Sequence, residues 1–225
     1  MKRLFWLAPL AAALVAFTAQ PAGAVVLSLG AGNTAISGYT GPYGSVTVSW
    51  VNSTTAQITY QSNVVGGNIY LFGDGGTVGL NFNGSVSIGS VTATNAGTGF
   101  TPGDPSGYTP DYGGGNQDGF GSFNFIIDSG DGFGSTADYI TFTATNTSGT
   151  WTSDTDVLTA NASGYMASTH VFVTGYSADA SNGALATGFA GDGTVPPIPE
   201  PASMLLLGLG LMGTGVLGLA RRRRK

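Results

Sequence analysis

The chain is 225 residues long, carries 12 acidic against 7 basic side chains for a formal net charge of −5, and contains no cysteine. Without thiols there are no disulfides, thiolate metal sites or cysteine nucleophiles, and a chain of this length can bury enough core to do without cross-links. The charges are also segregated. Lys2, Arg3, Arg221, Arg222, Arg223, Arg224 and Lys225 are the whole cationic inventory, so the segment 25–195 has no Lys or Arg, while every acidic residue except Glu200 is an aspartate inside it. That segment cannot form a Lys or Arg salt bridge, and it lacks the cations that neutralise nucleic-acid phosphates or anionic lipid headgroups. Its aspartates must be solvated, capped by backbone N–H groups, or paired with cations from the medium.

In chain order, Lys2 and Arg3 precede an apolar stretch from Leu4 to Ala19, and Ala22-Gly23-Ala24 supplies the small residues of a signal-peptidase site. The expectation is a signal peptide over 1–24, with Ala22 and Ala24 as the recognised small residues and Val25 as the mature N-terminus. The segment 25–195 then has the length of one domain and reads as strands and turns. Alternating or β-branched runs occur at 25–29, 45–51, 57–61, 68–72, 77–82, 85–93, 121–127, 139–145 and 169–174, each bounded by Gly, Asn, Asp or Pro. In 45–50 the period is two, so Val46, Val48 and Trp50 face one way and the hydroxyls the other; Ile140, Phe142 and Ala144 repeat the scheme. With no amphipathic helix between the runs, the fold class is all-β: an antiparallel β-sandwich ectodomain of jelly-roll or immunoglobulin-like kind. A parallel β-helix is disfavoured because no fixed repeat runs along the chain. The Gly-rich stretch 96–119 has no periodicity and is expected to be a loop, a mobile insertion in preference to a binding loop.

The last thirty residues, 196–225, read in three parts. A proline-rich turn carries Pro199-Glu200-Pro201, an uncharged run of Leu, Gly, Met, Ala and Val fills 202–220, and a basic tail occupies 221–225. A helix over the apolar run would be about 28 Å long at 1.5 Å per residue, close to the roughly 30 Å hydrocarbon core of a bilayer. The cations after it, Arg221, Arg222, Arg223 and Arg224 with Lys225, act as a cytoplasmic stop and leave everything before the helix outside. This order of motif, apolar span and Arg cluster resembles the PEP-CTERM sorting signal of exported proteins in Gram-negative bacteria. The resemblance implies recognition by the membrane protease exosortase, transient anchoring in the inner membrane, cleavage near Glu200, and delivery to the cell surface or extracellular polysaccharide.

Chemistry inside the body is sparse. Calcium takes six to eight oxygen ligands, and loop aspartates beside Gly and Asn are a common supply outside the cell; the candidates are Asp128 with Asp131 and Asp154 with Asp156. No stretch matches the helix-loop-helix calcium motif, whose last ligand is a Glu the body lacks. The only imidazole is His170, in a strand-like run where alternation puts it on the face of Phe172, opposite Val171 and Val173. No G-x-S-x-G elbow accompanies it, and no Arg or Lys is present to clamp an oxyanion, so no catalytic residue is assigned and a non-enzymatic role is expected. Tyr39, Tyr43, Phe100, Tyr108, Tyr112 and Trp151 fall in turn-rich stretches, where an exposed aromatic ring can stack on a sugar. The expected function is structural or adhesive, in an exopolysaccharide matrix or biofilm, with no cofactor beyond an optional calcium. The alternative is a carbohydrate-binding module or an Asp-dependent glycan-active enzyme.

Overall fold

The computed structural model describes residues 23–95, 105–175, 183–193 and 198–199. The predicted transmembrane helix 202–220, the basic tail 221–225, Glu200, Pro201 and Ala22 lie outside the described residues. The described chain is built from antiparallel β-strands linked by turns and three short 3-10 turns.

Two sheets face each other across one core. The first is ordered β17-β1-β3-β4-β14-β8, with β9 also on β14. Its strands are β1 (Ala24–Leu29), β3 (Gly44–Asn52), β4 (Thr55–Ser62), β8 (Val86–Ile88), β9 (Thr92–Thr94), β14 (Tyr139–Asn146) and β17 (Ile198–Pro199). The second is ordered β10-β13-β7-β15-β16-β2, with β6 also on β15 and β5 on β6. It comprises β2 (Ala31–Gly32), β5 (Val64–Val65), β6 (Asn68–Phe72), β7 (Val78–Leu80), β10 (Thr109–Asp111), β13 (Phe125–Asp128), β15 (Ala167–Gly175) and β16 (Ala186–Gly191). A separate hairpin pairs β11 (Gly115–Gln117) with β12 (Gly121–Phe123).

The alternation expected from sequence sets the inward faces. Val46, Val48, Ile58, Tyr60, Ile140 and Ala144 of the first sheet are fully buried against Val78, Leu80, Val171 and Val173 of the second. Tyr60 joins the layers directly: its hydroxyl donates to the carbonyls of Gly79 at 3.0 Å and Ser168 at 3.3 Å, and its ring meets Phe72 edge-on. Other tyrosines do similar work, Tyr70 donating to Thr40 O and Tyr108 to Phe72 O and Ser135 O. In a body without Lys or Arg, these phenol-to-carbonyl bonds and Asn or Asp side chains tie together elements that ion pairs link in other proteins. Strand β15 is central and mostly buried along its length, as expected of a strand covered on both faces.

Three sequence expectations are corrected. The run 85–93 is two strands, β8 and β9, laid end to end on β14 with a break at 89–91. The run 121–127 divides at Asn124, whose side chain accepts from Phe82 N–H at 2.9 Å and donates to Phe82 O at 2.8 Å. The loop expectation for 96–119 fails in its second half: β10 pairs with β13 at the edge of the second sheet, and β11 begins the hairpin. Gln117 of that hairpin is 1 % exposed and donates to Gly76 O, so the segment is packed onto the body.

Candidate functional site

Two of the four sequence-named aspartates are held in hydrogen bonds. Asp128 Oδ1 accepts from Gly76 N–H at 2.6 Å, and Asp156 accepts from Asn83 Nδ2 and from the Thr152 amide and hydroxyl. Asp154 begins a 3-10 turn with its carboxylate beside Gly23, and Asp131 is exposed in the turn before Phe133. Among the described residues no three His, Asp or Glu side chains converge in a way that could hold a metal ion. Asp128 and Asp156 thus brace turns, and the pairs Asp128/Asp131 and Asp154/Asp156 lie at separate places in the fold.

His170 sits where alternation places it, on the outer face of the second sheet beside Phe172, with Val171 and Val173 in the core. Its ring stacks on Phe189 at 4.5 Å, Nε2 is 2.8 Å from Thr187 Oγ1, and the buried Nδ1 has no partner within 3.5 Å among the described residues. Burial holds its pKa below the usual imidazole value, against a smaller opposing pull from Asp74. A catalytic triad needs a carboxylate bonded to the second ring nitrogen, and among the described residues none is bonded to Nδ1.

The aromatic candidates separate by burial. Trp151 is 1 % and Tyr43 3 % exposed, so both are core. Tyr39 and Tyr108 are half-buried, and Phe100 lies outside the described residues. Tyr112 is 54 % exposed and flanks a cleft of about 310 Å³, lined by Gly84, Ser85, Val86, Tyr112, Asn124 and Phe125. That volume is at the small end of the range for ligand sites.

The cleft lies where an edge of each sheet meets. Tyr112 follows β10, the last strand of the second sheet, and β8 is the last strand of the first. The Tyr112 hydroxyl crosses between them to accept from Ile88 N–H at 3.2 Å, and its ring tilts onto Phe125 at 5.8 Å. Gly89 N–H donates to Thr143 O and Thr147 N–H to Ser85 O, so odd-numbered residues of β8 face β14. By strand geometry Val86 and Ile88 then turn their backbone groups outward. Asn124 lies beside them, and its bonds to Phe82 leave one amide proton over. Sequence reasoning named Tyr112 but missed Asn124 and the β8 edge; the signal was Asn124 standing between Phe123 and Phe125, where an alternating strand would break.

No family model, curated protein or solved structure matches this chain.

Proposed function

We propose that the protein is an exported surface or extracellular-matrix component of a Gram-negative bacterium, with a structural or adhesive role in exopolysaccharide and no enzymatic one. Signal peptidase removes 1–24, the span 202–220 holds the chain in the inner membrane with Arg221–Arg224 inside, and an exosortase then cuts at Pro199-Glu200-Pro201. The observation that carries the reading is the segregation of charge around a folded body. The strands begin at Ala24, where the signal-peptide pattern stops, and every Lys and Arg lies beyond the body's two ends.

Register gives further support. Val25 pairs with Pro199 and Val26 with Ile198, so both expected processing points meet at one edge of the first sheet. Pro199 is on the outermost strand, where a residue without an N–H is tolerated. The free edge at β8 is five strand spacings away, about 24 Å at roughly 4.8 Å each. A body tethered at the β17 edge thus carries its cleft on the far side.

The test is fractionation of the producing cell. Replacing Pro199, Glu200 and Pro201 together by Ala is expected to leave the protein in the inner-membrane fraction, while the parent chain moves to the surface or polymer fraction. If the variant leaves the membrane as the parent does, the motif has no part in delivery and the reading fails.

A further inference from the structure

We infer that the cleft between β8 and β10 binds a segment of neutral polysaccharide, with Tyr112 as the stacking platform. This deepens the reading above, on which it rests for placing the body outside the cell.

The argument begins with how Tyr112 is held. A large, exposed aromatic ring on a turn costs solvation and earns no core packing, yet this one is fixed at both ends, by Phe125 under the ring and by Ile88 N–H on the hydroxyl. The bond from Ile88 uses the oxygen as acceptor, so the phenolic proton is left for a ligand. A pyranose ring has one face of C–H groups and a rim of hydroxyls, each both donor and acceptor. The C–H face suits an exposed aromatic ring, and the rim suits polar groups set around it.

Those groups are present. Val86 turns its amide and carbonyl to the cleft side of β8, as the pairing of Ser85 and Gly89 with β14 requires. The spare amide proton of Asn124 and the exposed Ser85 complete a rim of donors and acceptors without a formal charge. Its amide and backbone members are held by bonds to the framework, so they lose little freedom on binding.

Charge then narrows the ligand class. The body has no Lys or Arg to meet a carboxylate, sulfate or phosphate, and its aspartates give it a negative field. A uronic-acid or sulfated polymer would be repelled, whereas an uncharged one meets no penalty. The cleft is open and lies between two sheet edges, which suits a chain passing through. A flat apolar partner is less well served, because the rim would lose water without gaining bonds.

The experiment is affinity electrophoresis of the secreted body as released from the cell, from Val25 to near Glu200, through gels containing dextran, galactomannan, a mixed-linkage β-glucan or a polyuronate. Retardation by at least one neutral polymer and none by the polyuronate is expected, with little change when salt is raised. Y112A should weaken that retardation by about tenfold or more, the loss typical of a central aromatic anchor. Y112F keeps the ring and should stay within a few-fold of the parent. Both variants should still fold and unfold cooperatively, Y112F melting close to the parent and Y112A a few degrees below it for the lost contacts with Phe125 and Ile88. Retardation by the polyuronate alone, retardation unchanged in Y112A, or no retardation by any of the neutral polymers would overturn the inference. Each of those results would leave export untouched, whereas a body never found outside the cell would sink the reading it rests on and not the binding measured in the gel.

Discussion

Trp151→Ala is expected to lower stability by about 3–5 kcal/mol, the usual cost of emptying a large aromatic site in a core. Trp151 is 1 % exposed, its ring stacks on Phe82 at 6.3 Å, and its Nε1 donates to Asn83 O at 2.8 Å. It therefore holds Asn83 at the approach to β8, and its own amide donates to Ser53 O. For a domain of this size the change corresponds to a fall of roughly 10–15 °C in melting temperature. W151F keeps a ring in the site and loses the donor, so about 1–2 kcal/mol is expected. Thermal or urea unfolding measures both. A W151A protein as stable as the parent would mean that the ring is not in the core, and the cleft wall at 84–86 would lose its support.

Asp192 should make the protein more stable in mild acid than at neutral pH. Its side chain is 2 % exposed, and Oδ1 accepts from the Met166 and Ala167 amides, each at 3.0 Å. Burial nevertheless dominates and pushes the carboxyl from 3.8 up to about 6. An acid with a raised folded pKa binds its proton more tightly when folded. Its contribution is thus complete below the unfolded value and is lost as pH rises through the folded one, a window of about pH 4 to 6. Two pH units correspond to about 3 kcal/mol. His170 acts in the opposite sense: its lowered pKa gives stability above the unfolded value near 6.5 that is lost as pH falls through the folded one. The difference between parent and D192N separates the two, since His170 is common to both. D192N should gain on the parent across pH 4 to 6 and then hold a constant lead. Curves that stay parallel over that window would show that Asp192 is not a buried charge.

The framework was legible wherever strands alternate between one buried and one wet face. Val46, Val48, Ile140, Phe142 and Ala144 all point as their spacing requires. Strand β16, which reads Ala-Thr-Gly-Phe-Ala-Gly, escaped because its glycines look like turn residues. They are packing residues: a side chain at Gly188 would meet Asn33 and Ile36, and one at Gly191 would meet the Phe120 ring. Strand β10 escaped because Pro110 argues against a strand, although at a sheet edge the missing N–H costs nothing. Of the candidate site, sequence could name Tyr112 and no more. Trp151 and Tyr43 share its turn-rich setting, and what distinguishes them is burial created by partners distant in the chain. The aspartates were legible as turn residues, which is how Asp128 and Asp156 are used. The second wall of the cleft, the outward edge of β8, depends on which strands pair, and no local pattern encodes that.

The central claim is that the ends carrying every cation are address labels and the anionic β body is the product. Mass spectrometry of the protein recovered from the producing cell tests it most directly. The account predicts a polypeptide that starts at Val25 and ends near Glu200, without Arg221–Lys225. Material outside the cell that still carries its arginines, or an unprocessed chain from Met1 to Lys225 in the cytosol, would contradict it.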